Sequence, residues 1–342
     1  MSSGHMGGSD GGSGADEGGG ADAVIARVRA GFPSLSWSSV SVPPQGMDHE
    51  VVVLHDGADA GADLVARLPR TDAYRDQAPV EAEVLELLAG QVMSSDVAPV
   101  QDVPSVRLPV PALTTADGSV TLQGHIAGEP LDAQVYSTLG AGRQDTVTRQ
   151  VAGLMRLLHG VDVMSPPVSN VVSWWSAEGR VNTTSPRALP AKAALVRSRA
   201  SELLPGRIAA ADLGIVESIV QDVEVLLSSQ LSASDGRLIH SDLYDSHLLW
   251  DGASLGVIDF SDMNIGDPAL DYAHLFALDP ALPRRVAELA GDLVGDLLER
   301  AWTYARWDAV FLLLDHLRTG HTPASVAWEG FDRARSVTPP TR

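Results

Sequence analysis

The sequence predicts an α+β chain of two lobes, the first rich in β-strands and the second mainly helical. Three observations carry that expectation. Short apolar runs bounded by glycine and proline dominate the stretch up to residue 127, and long apolar faces at helical spacing dominate the stretch beyond 130. A single β-like island, residues 237–259, is set inside the helical half. At 342 residues the chain is long enough to bury two cores, and a cleft between lobes is the usual place for a small-molecule site.

The elements follow in order. Residues 1–22 are rich in Gly and Ser, carry Asp10, Asp16, Glu17 and Asp22, and have no Lys or Arg, the composition of a solvated tail opening on a tag-like Met1 to Met6. A first lobe is expected over 23–127. It starts with a short helix (Val24, Ile25, Val28) and continues as a hairpin of Glu50 to Leu54 and Leu64 to Leu68. Pro79 then opens a helix with Val80, Val84, Leu87 and Leu88 on one face. Pro99 to Pro111 reads as punctuated extended chain, Ser119 to Ile126 as a strand, and Gly128-Glu129-Pro130 as the break into the second lobe, 128–342. Helices are expected over Asp145 to His159, Ile208 to Leu227 and Pro283 to Leu317, with a hairpin turn at Asp251-Gly252 inside the island.

Composition excludes several functions. The 44 acidic residues against 24 basic ones leave a net charge of −20, which repels nucleic-acid backbones and anionic lipid. There is no cysteine, so a disulfide framework, a thiolate zinc site and a cysteine nucleophile are all excluded. No apolar run approaches the roughly 18 residues of a membrane span. The expectation is a soluble, cytoplasmic monomer. Of the 24 basic residues only Lys192 is a lysine.

The chemistry is concentrated in Leu238-Ile239-His240-Ser241-Asp242-Leu243-Tyr244-Asp245-Ser246-His247-Leu248-Leu249-Trp250 and in Val257-Ile258-Asp259-Phe260-Ser261-Asp262. Apolar segments bracket a polar loop, and a further one ends on a carboxylate, which puts Asp242, His247 and Asp259 at one end of a hairpin. A carboxylate that accepts a hydroxyl proton beside metal ligands is what phosphoryl transfer uses, because that reaction needs positioning and charge neutralisation.

These residues resemble the aminoglycoside phosphotransferase family, relatives of the eukaryotic-like kinases. His240-Ser241-Asp242 matches its H-x-D loop, and His247 stands at the N/H position five residues on. Asp259 stands where kinases have the DFG-type aspartate, and Gly266-Asp267-Pro268-Ala269-Leu270-Asp271 matches the G-D-P-x-x-D continuation. The resemblance implies a bilobal kinase-like fold with Asp242 as base, Asp259 and His247 on Mg²⁺, and His240, Asp267 and Asp271 bracing the motif. It further implies Arg67 as the cation on the nucleotide phosphates and Glu81 as its helix partner, with Glu83 as the alternative. Pro44 to Glu50 stands as the phosphate loop, and Gln123, Gly124, His125 and Ile126 as the connection that binds the purine. Lys192 lies in the helical half, away from the strand where such a cation belongs.

A histidine at 247, in place of the asparagine of most aminoglycoside and choline kinases, is similar to the macrolide phosphotransferases. That resemblance implies transfer of the γ-phosphate of GTP to the 2′-hydroxyl of a macrolide's amino sugar, conferring resistance. Tyr244, Asp262, Leu275 and Phe276 are the candidate substrate contacts, with Phe311 to Leu314 as further apolar wall or plain core. Trp174-Trp175 read as core, and His274, His316 and His321 as ordinary histidines. Two alternatives stay open: an ATP-dependent aminoglycoside or other small-alcohol kinase, and a nucleotide-binding pseudokinase.

Overall fold

The computed structural model describes residues 17–45, 48–57, 61–94, 106–185 and 187–336, and it has the expected α+β class. The first lobe is a five-stranded antiparallel sheet of β1 (Ser39–Ser41), β2 (His49–His55), β3 (Leu64–Pro69), β4 (Pro111–Thr114) and β5 (Thr121–Gly124), ordered β1-β2-β3-β5-β4. The hairpin expected from the sequence is β2–β3, with Val51 opposite Arg67. Alternation along β2 buries Val52 and Leu54, which join Leu64, Ala66, Leu68, Val120 and Leu122 in a small core sealed by Val24 and Val28 of helix α1 (Glu17–Gly31). Residues 17–22, expected as solvated tail, are therefore helical. Once Val24 and Val28 anchor the helix, extending it backward adds one hydrogen bond per residue. The rest of that tail lies outside the described residues, as do Gly46 and Met47 of the phosphate loop and most of the proline-punctuated stretch.

Helix α2 (Asp72–Ser94) starts seven residues before Pro79, which was expected to open it. A proline inside a helix leaves the carbonyl four residues back unpaired and crowds it. Here that carbonyl, Arg75 O, lies against Gly118, where a Cβ would sit 2.2 Å from it, and Gly118 has φ +67°. The glycine thus makes room for the displaced turn. Beyond Pro79 the helix buries Val84, Leu85 and Leu88 in the large core of the second lobe, while Val52 and its neighbours form the separate small one. Glu81, carried on α2, is consequently fixed to the helical lobe as much as to the sheet.

The second lobe runs through β6 (Glu129–Pro130), α3 (Ala133–Thr138), α4 (Ala141–His159), α5 (Leu189–Leu203), α6 (Ala210–Val225), β7 (Arg237–Ile239), β8 (Leu248–Trp250), β9 (Leu255–Val257) and β10 (Asn264–Gly266). It ends in α7 (Ala269–Ala273), α8 (Leu275–Leu278), α9 (Leu282–Ala290), α10 (Leu297–Thr319) and α11 (Ala324–Ala334). The helical pattern over Pro283 to Leu317 is split between α9 and α10, with Gly291 and Gly295 in the gap. The β island is also divided. β8 and β9 form the hairpin around Asp251-Gly252, but β7 pairs with β10, Ile239 opposite Asn264. Trp174 and Trp175 are buried in the core. Among the described residues no helix is long and apolar enough to cross a membrane.

Gly118→Ala places a side chain both in a left-handed conformation and against a backbone carbonyl. It is expected to lower the unfolding free energy by about 2 kcal/mol or more, read from urea denaturation. A change under about 0.5 kcal/mol, the size of an ordinary surface substitution, would refute this account of the proline in α2.

Candidate active site

The polar loop between β7 and β8 is held from below by Asp271 on α7. Its two carboxylate oxygens accept the backbone N–H groups of His240 (3.0 Å) and Ser241 (2.8 Å), and Oδ2 also meets His159 Nε2 at 3.2 Å. Ser241 sits at φ +72°, a conformation that costs a non-glycine residue of order 1 kcal/mol and persists because the two bonds to Asp271 fix it. His240 is buried and its Nε2–H donates to Ile258 O at 3.0 Å, so Nδ1 is left to accept the Asp242 N–H at 3.3 Å. Burial pushes the His240 imidazole down to about 4, which keeps it neutral in both roles. His240 and Asp271 thus tie the loop's backbone to Ile258 and to α7. Asp267, one turn earlier, caps α7 through Ala269 N–H and accepts Arg300 Nε and the Tyr304 hydroxyl, all at 3.0 Å.

Above this loop Arg67 on β3 reaches two carboxylates. Nη1 donates to Glu81 Oε1 and Nη2 to Asp259 Oδ1, each at 2.6 Å. Burial works against the guanidinium charge, but Glu81 and Asp259 more than offset it and raise the pKa above the ordinary value. Glu83 is exposed and takes no part. Asp259, at φ +62°, also accepts the Ser261 hydroxyl at 2.7 Å. Burial alone would raise its pKa; Arg67, then His247 and His49, override that and hold it well below the usual carboxylate range.

His247 lies between the two aspartates. Its Nδ1 is 2.7 Å from the Asp242 carbonyl and must donate to it, while Nε2 faces Asp259 Oδ2 at 3.7 Å. Burial pulls the His247 pKa down, but Asp242 and Asp259 raise it above its ordinary value, and burial raises Asp242 to about 7. In the neutral imidazole, with Nδ1–H on the carbonyl, Nε2 carries a lone pair toward Asp259. No group of three or more potential ligands exists among the described residues. One carboxylate with the remainder supplied by phosphate oxygens and water is nevertheless a usual way Mg²⁺ is held beside a nucleotide, and Asp259 fits it; the His247 imidazole is a softer donor than Mg²⁺ favours.

Gln123 and Gly124 end β5, and the following His125 N–H donates to Asp63 O at 3.0 Å. Ile126 packs on Gly256 of β9, where a Cβ would meet it at 2.2 Å. These four residues lie at the junction of sheet and hairpin. Gln45, in the described part of the phosphate loop, pairs its side-chain amide with both backbone groups of Val51 at 2.9 Å.

On the other side of Asp242 lie two cavities, one of about 50 Å³ and one of about 130 Å³, with Tyr244, His274 and Asp308 lining both. Trp307 and Phe311 wall the first; Phe276, Trp302 and Leu312 wall the second. Tyr244 donates its hydroxyl to Asp308 and packs against His274 in a tilted pair, 4.0 Å between ring centres. Burial raises Asp308 to about 7. Of the candidate substrate contacts, Tyr244 and Phe276 face these cavities. Leu275 does not: it is fully buried in the core, as the inward residue of the short helix α8. Asp262 is turned toward the Asp259 side, where it accepts Lys192 Nζ at 2.6 Å and the Tyr74 hydroxyl at 3.1 Å. His274, read as ordinary, sits beside Asp308.

Tyr74, Arg187 and Asp308 escaped the sequence reading, Lys192 and His274 were set aside by it, and Asp48 was named only as part of the phosphate loop. Asp48 lies close enough to Asp262 and Asp259 that burial and their charges push it up to about 6. Arg187 is buried over the Tyr74 ring at 5.2 Å. The solitary lysine, and a carboxylate interrupting the apolar run of α10, were the signals available for Lys192 and Asp308.

Strand-borne arginine, helix glutamate, aspartate loop and second aspartate, set across two lobes, define a kinase-like phosphotransferase. A profile of the phosphotransferase enzyme family (APH) matches residues 39–310, and the chain belongs to that family. Among solved structures it is similar to the GDP and kanamycin complex of APH(2″)-IIIa, with 21% identity, a TM-score of 0.68, and 91% of this chain and 96% of that one covered. It is also similar to the macrolide 2′-phosphotransferase MphH from Brachybacterium faecium (18%, TM-score 0.56, 93% and 99% covered). A macrolide 2′-phosphotransferase type I gives 17%, 0.57, 94% and 98%. No curated protein matches the chain.

His159 offers a test of the loop's support. Burial opposes its charge, but bonds to Asp271 and Asp292 raise its pKa from 6.5 to about 9. A folded pKa above the unfolded one stabilises fully below about 6.5 and ceases to do so as pH rises through about 9. The parent is expected to lose urea resistance across that window relative to His159→Gln; parallel pH profiles would contradict the pairing.

Proposed function

We propose that the enzyme transfers the terminal phosphoryl group of a nucleoside triphosphate, GTP in preference to ATP, to the amino-sugar 2′-hydroxyl of a macrolide antibiotic. The observation that carries the acceptor reading is the composition of the walls beside Asp242. Trp307, Phe276 and Trp302, each only 5–7% exposed, line these cavities with the half-buried Phe311; the Asp308 carboxylate is set among them, with Lys192 at the inner cavity and Asp245 and Arg333 at the outer. A single dimethylammonium on a largely apolar ligand suits such walls; a polycation would demand more acid. His247, at the position that resembles the macrolide enzymes, agrees.

Asp242 accepts the proton of the acceptor hydroxyl as its oxygen bonds to phosphorus and the nucleoside diphosphate departs. Arg67 binds the donor phosphates and Glu81 keeps it oriented. Asp259, with His247 beside it, would hold Mg²⁺, which would supply charge neutralisation on the phosphates. Residues 123–126 lie against the purine, and Asp308, whose carboxyl burial makes easy to protonate, stays ionised against the substrate's cationic amine.

The aminoglycoside reading has one observation in its favour: the higher TM-score of the neighbour described with GDP and kanamycin. Parallel assays with erythromycin-type and kanamycin-type acceptors and with GTP and ATP separate the readings. Transfer to macrolides with higher kcat/KM for GTP is expected. Transfer to kanamycin alone would overturn the acceptor, and equal use of ATP the donor preference.

Asp242→Ala should lower kcat by roughly 100-fold or more while the nucleotide Kd stays within about threefold, because a general base contributes 10²–10⁴. Retention of parental turnover would remove Asp242 from this role. Asp308→Asn should raise the macrolide KM by about tenfold, the cost of roughly 1.4 kcal/mol of lost charge pairing, and leave the nucleotide KM unaltered. An unchanged macrolide KM would displace Asp308 from the amine site.

A further inference from the structure

Lys192 is the only lysine among 24 basic residues, and the fold brings it to the one place where the reaction accumulates charge. It stands in the first turn of α5, far in sequence from every motif residue. Its Nζ is 2.6 Å from Asp262 Oδ2, and its side chain also lines the cavity over Asp242 with Ser241, Tyr244 and Asp308. The Lys192 side chain is 30% exposed whereas that of its partner Asp262 is 9% exposed, so the lysine, unlike the carboxylate, borders open space. Four carboxylates act electrostatically with it: Asp262, Asp242, Asp48 and Asp308. It therefore borders the cavity over Asp242, where the acceptor hydroxyl belongs, and is tied to Asp262, three residues after Asp259.

We propose that Lys192 is a catalytic residue, an ammonium supplied by α5 that contacts the terminal phosphoryl group as it passes from donor to acceptor. The inference rests on phosphoryl transfer with Asp242 as the base, and not on the identity of the acceptor. In that transfer negative charge spreads over the equatorial oxygens of the migrating group, and Arg67 is already committed to Glu81 and Asp259 on the donor side. Asp262 holds the Lys192 ammonium and is itself tied by the Tyr74 hydroxyl. An ammonium has three rotatable donors on a flexible stem, so one can remain on Asp262 while another follows the phosphoryl oxygen. The planar fork of arginine, used at every other cationic position of the chain, would engage Asp262 through fixed directions.

A nucleotide acyl phosphate tests the placement directly. It carries a carboxylic acid as a mixed anhydride on the terminal phosphate; an amine beside that phosphate attacks the acyl carbon, an amide forms and the nucleotide leaves. No other side chain of the protein carries an amine, so the amide maps by peptide mass. The expected result is acylation of Lys192, suppressed by excess Mg²⁺-nucleotide. Absence of the amide from Lys192 despite competitive binding of the probe would overturn the proposal, as would labelling that nucleotide does not suppress. This readout needs no acceptor, so a failure of macrolide transfer leaves it standing, and its own failure leaves the acceptor question untouched.

Kinetics provide the second arm. Lys192→Ala should lose about 100-fold in kcat with the nucleotide KM within threefold, as expected for one donor to transition-state charge. Added methylamine should restore part of that loss, and Lys192→Arg should recover less than full activity. A Lys192→Ala enzyme that keeps parental kcat, or one whose loss lies wholly in KM without amine rescue, would reduce Lys192 to a structural partner of Asp262.

Discussion

The active centre depends on one buried guanidinium with two carboxylates. Arg67 comes from a sheet strand, Glu81 from a helix packed into the second lobe's core, and Asp259 from the chain just after β9. A buried charge left without a partner costs several kcal/mol, so each of the three confines the other two. The interaction therefore fixes where strand, helix and hairpin meet, and with them the gap that the proposed function assigns to the donor phosphates. That Pro79 is tolerated inside α2, through the space Gly118 leaves, matters because it lets the same helix present Glu81 inward and Val84, Leu85 and Leu88 to the core.

Around this bridge carboxylates outnumber cations on both sides. Arg67 answers Glu81 and Asp259 directly. Asp48, Asp242, Asp262 and Asp308 share Lys192, with Arg187 adding its charge at Asp262 and Asp48. Burial accordingly lifts Asp48 to about 6 and Asp242 and Asp308 to about 7, while Asp259 is held low. Carboxylates that burial makes easy to protonate are ready to accept a proton or a cationic ligand; one held firmly ionised is ready for a metal. In the proposed reaction Asp242 serves as the base and Asp259 faces the metal, a contrast that follows from the Arg67 guanidinium on Asp259.

Much of this arrangement was legible in the sequence because the motif residues are nearly contiguous. His240, Asp242, His247, Asp259 and Asp271 fall within a short stretch whose loops bond mainly to one another, and Arg67 and Glu81 lie on a strand and helix with plain periodicity. Lys192, Arg187, Asp308 and Tyr74 were not legible as a group, since they converge only through the packing of α2, α5 and α10 around the loop. Leu275 and Phe276 show the same limit at single-residue scale: adjacent apolar residues on a short helix point to core and cavity respectively, a distinction that hydrophobicity does not carry. The pairing of β7 with β10, in place of a three-segment hairpin, is a long-range choice made by the core.

The most direct test of the bridge is a double-mutant cycle on Mg²⁺-nucleotide affinity, with calorimetry on the parent, Arg67→Met, Glu81→Gln and the double variant. If Glu81 acts by holding Arg67 on the donor side, the double variant binds no more weakly than Arg67→Met, and the coupling is about 1–3 kcal/mol. If the two losses add to within about 0.5 kcal/mol, the residues act independently and the account of the site as built on one shared guanidinium is contradicted.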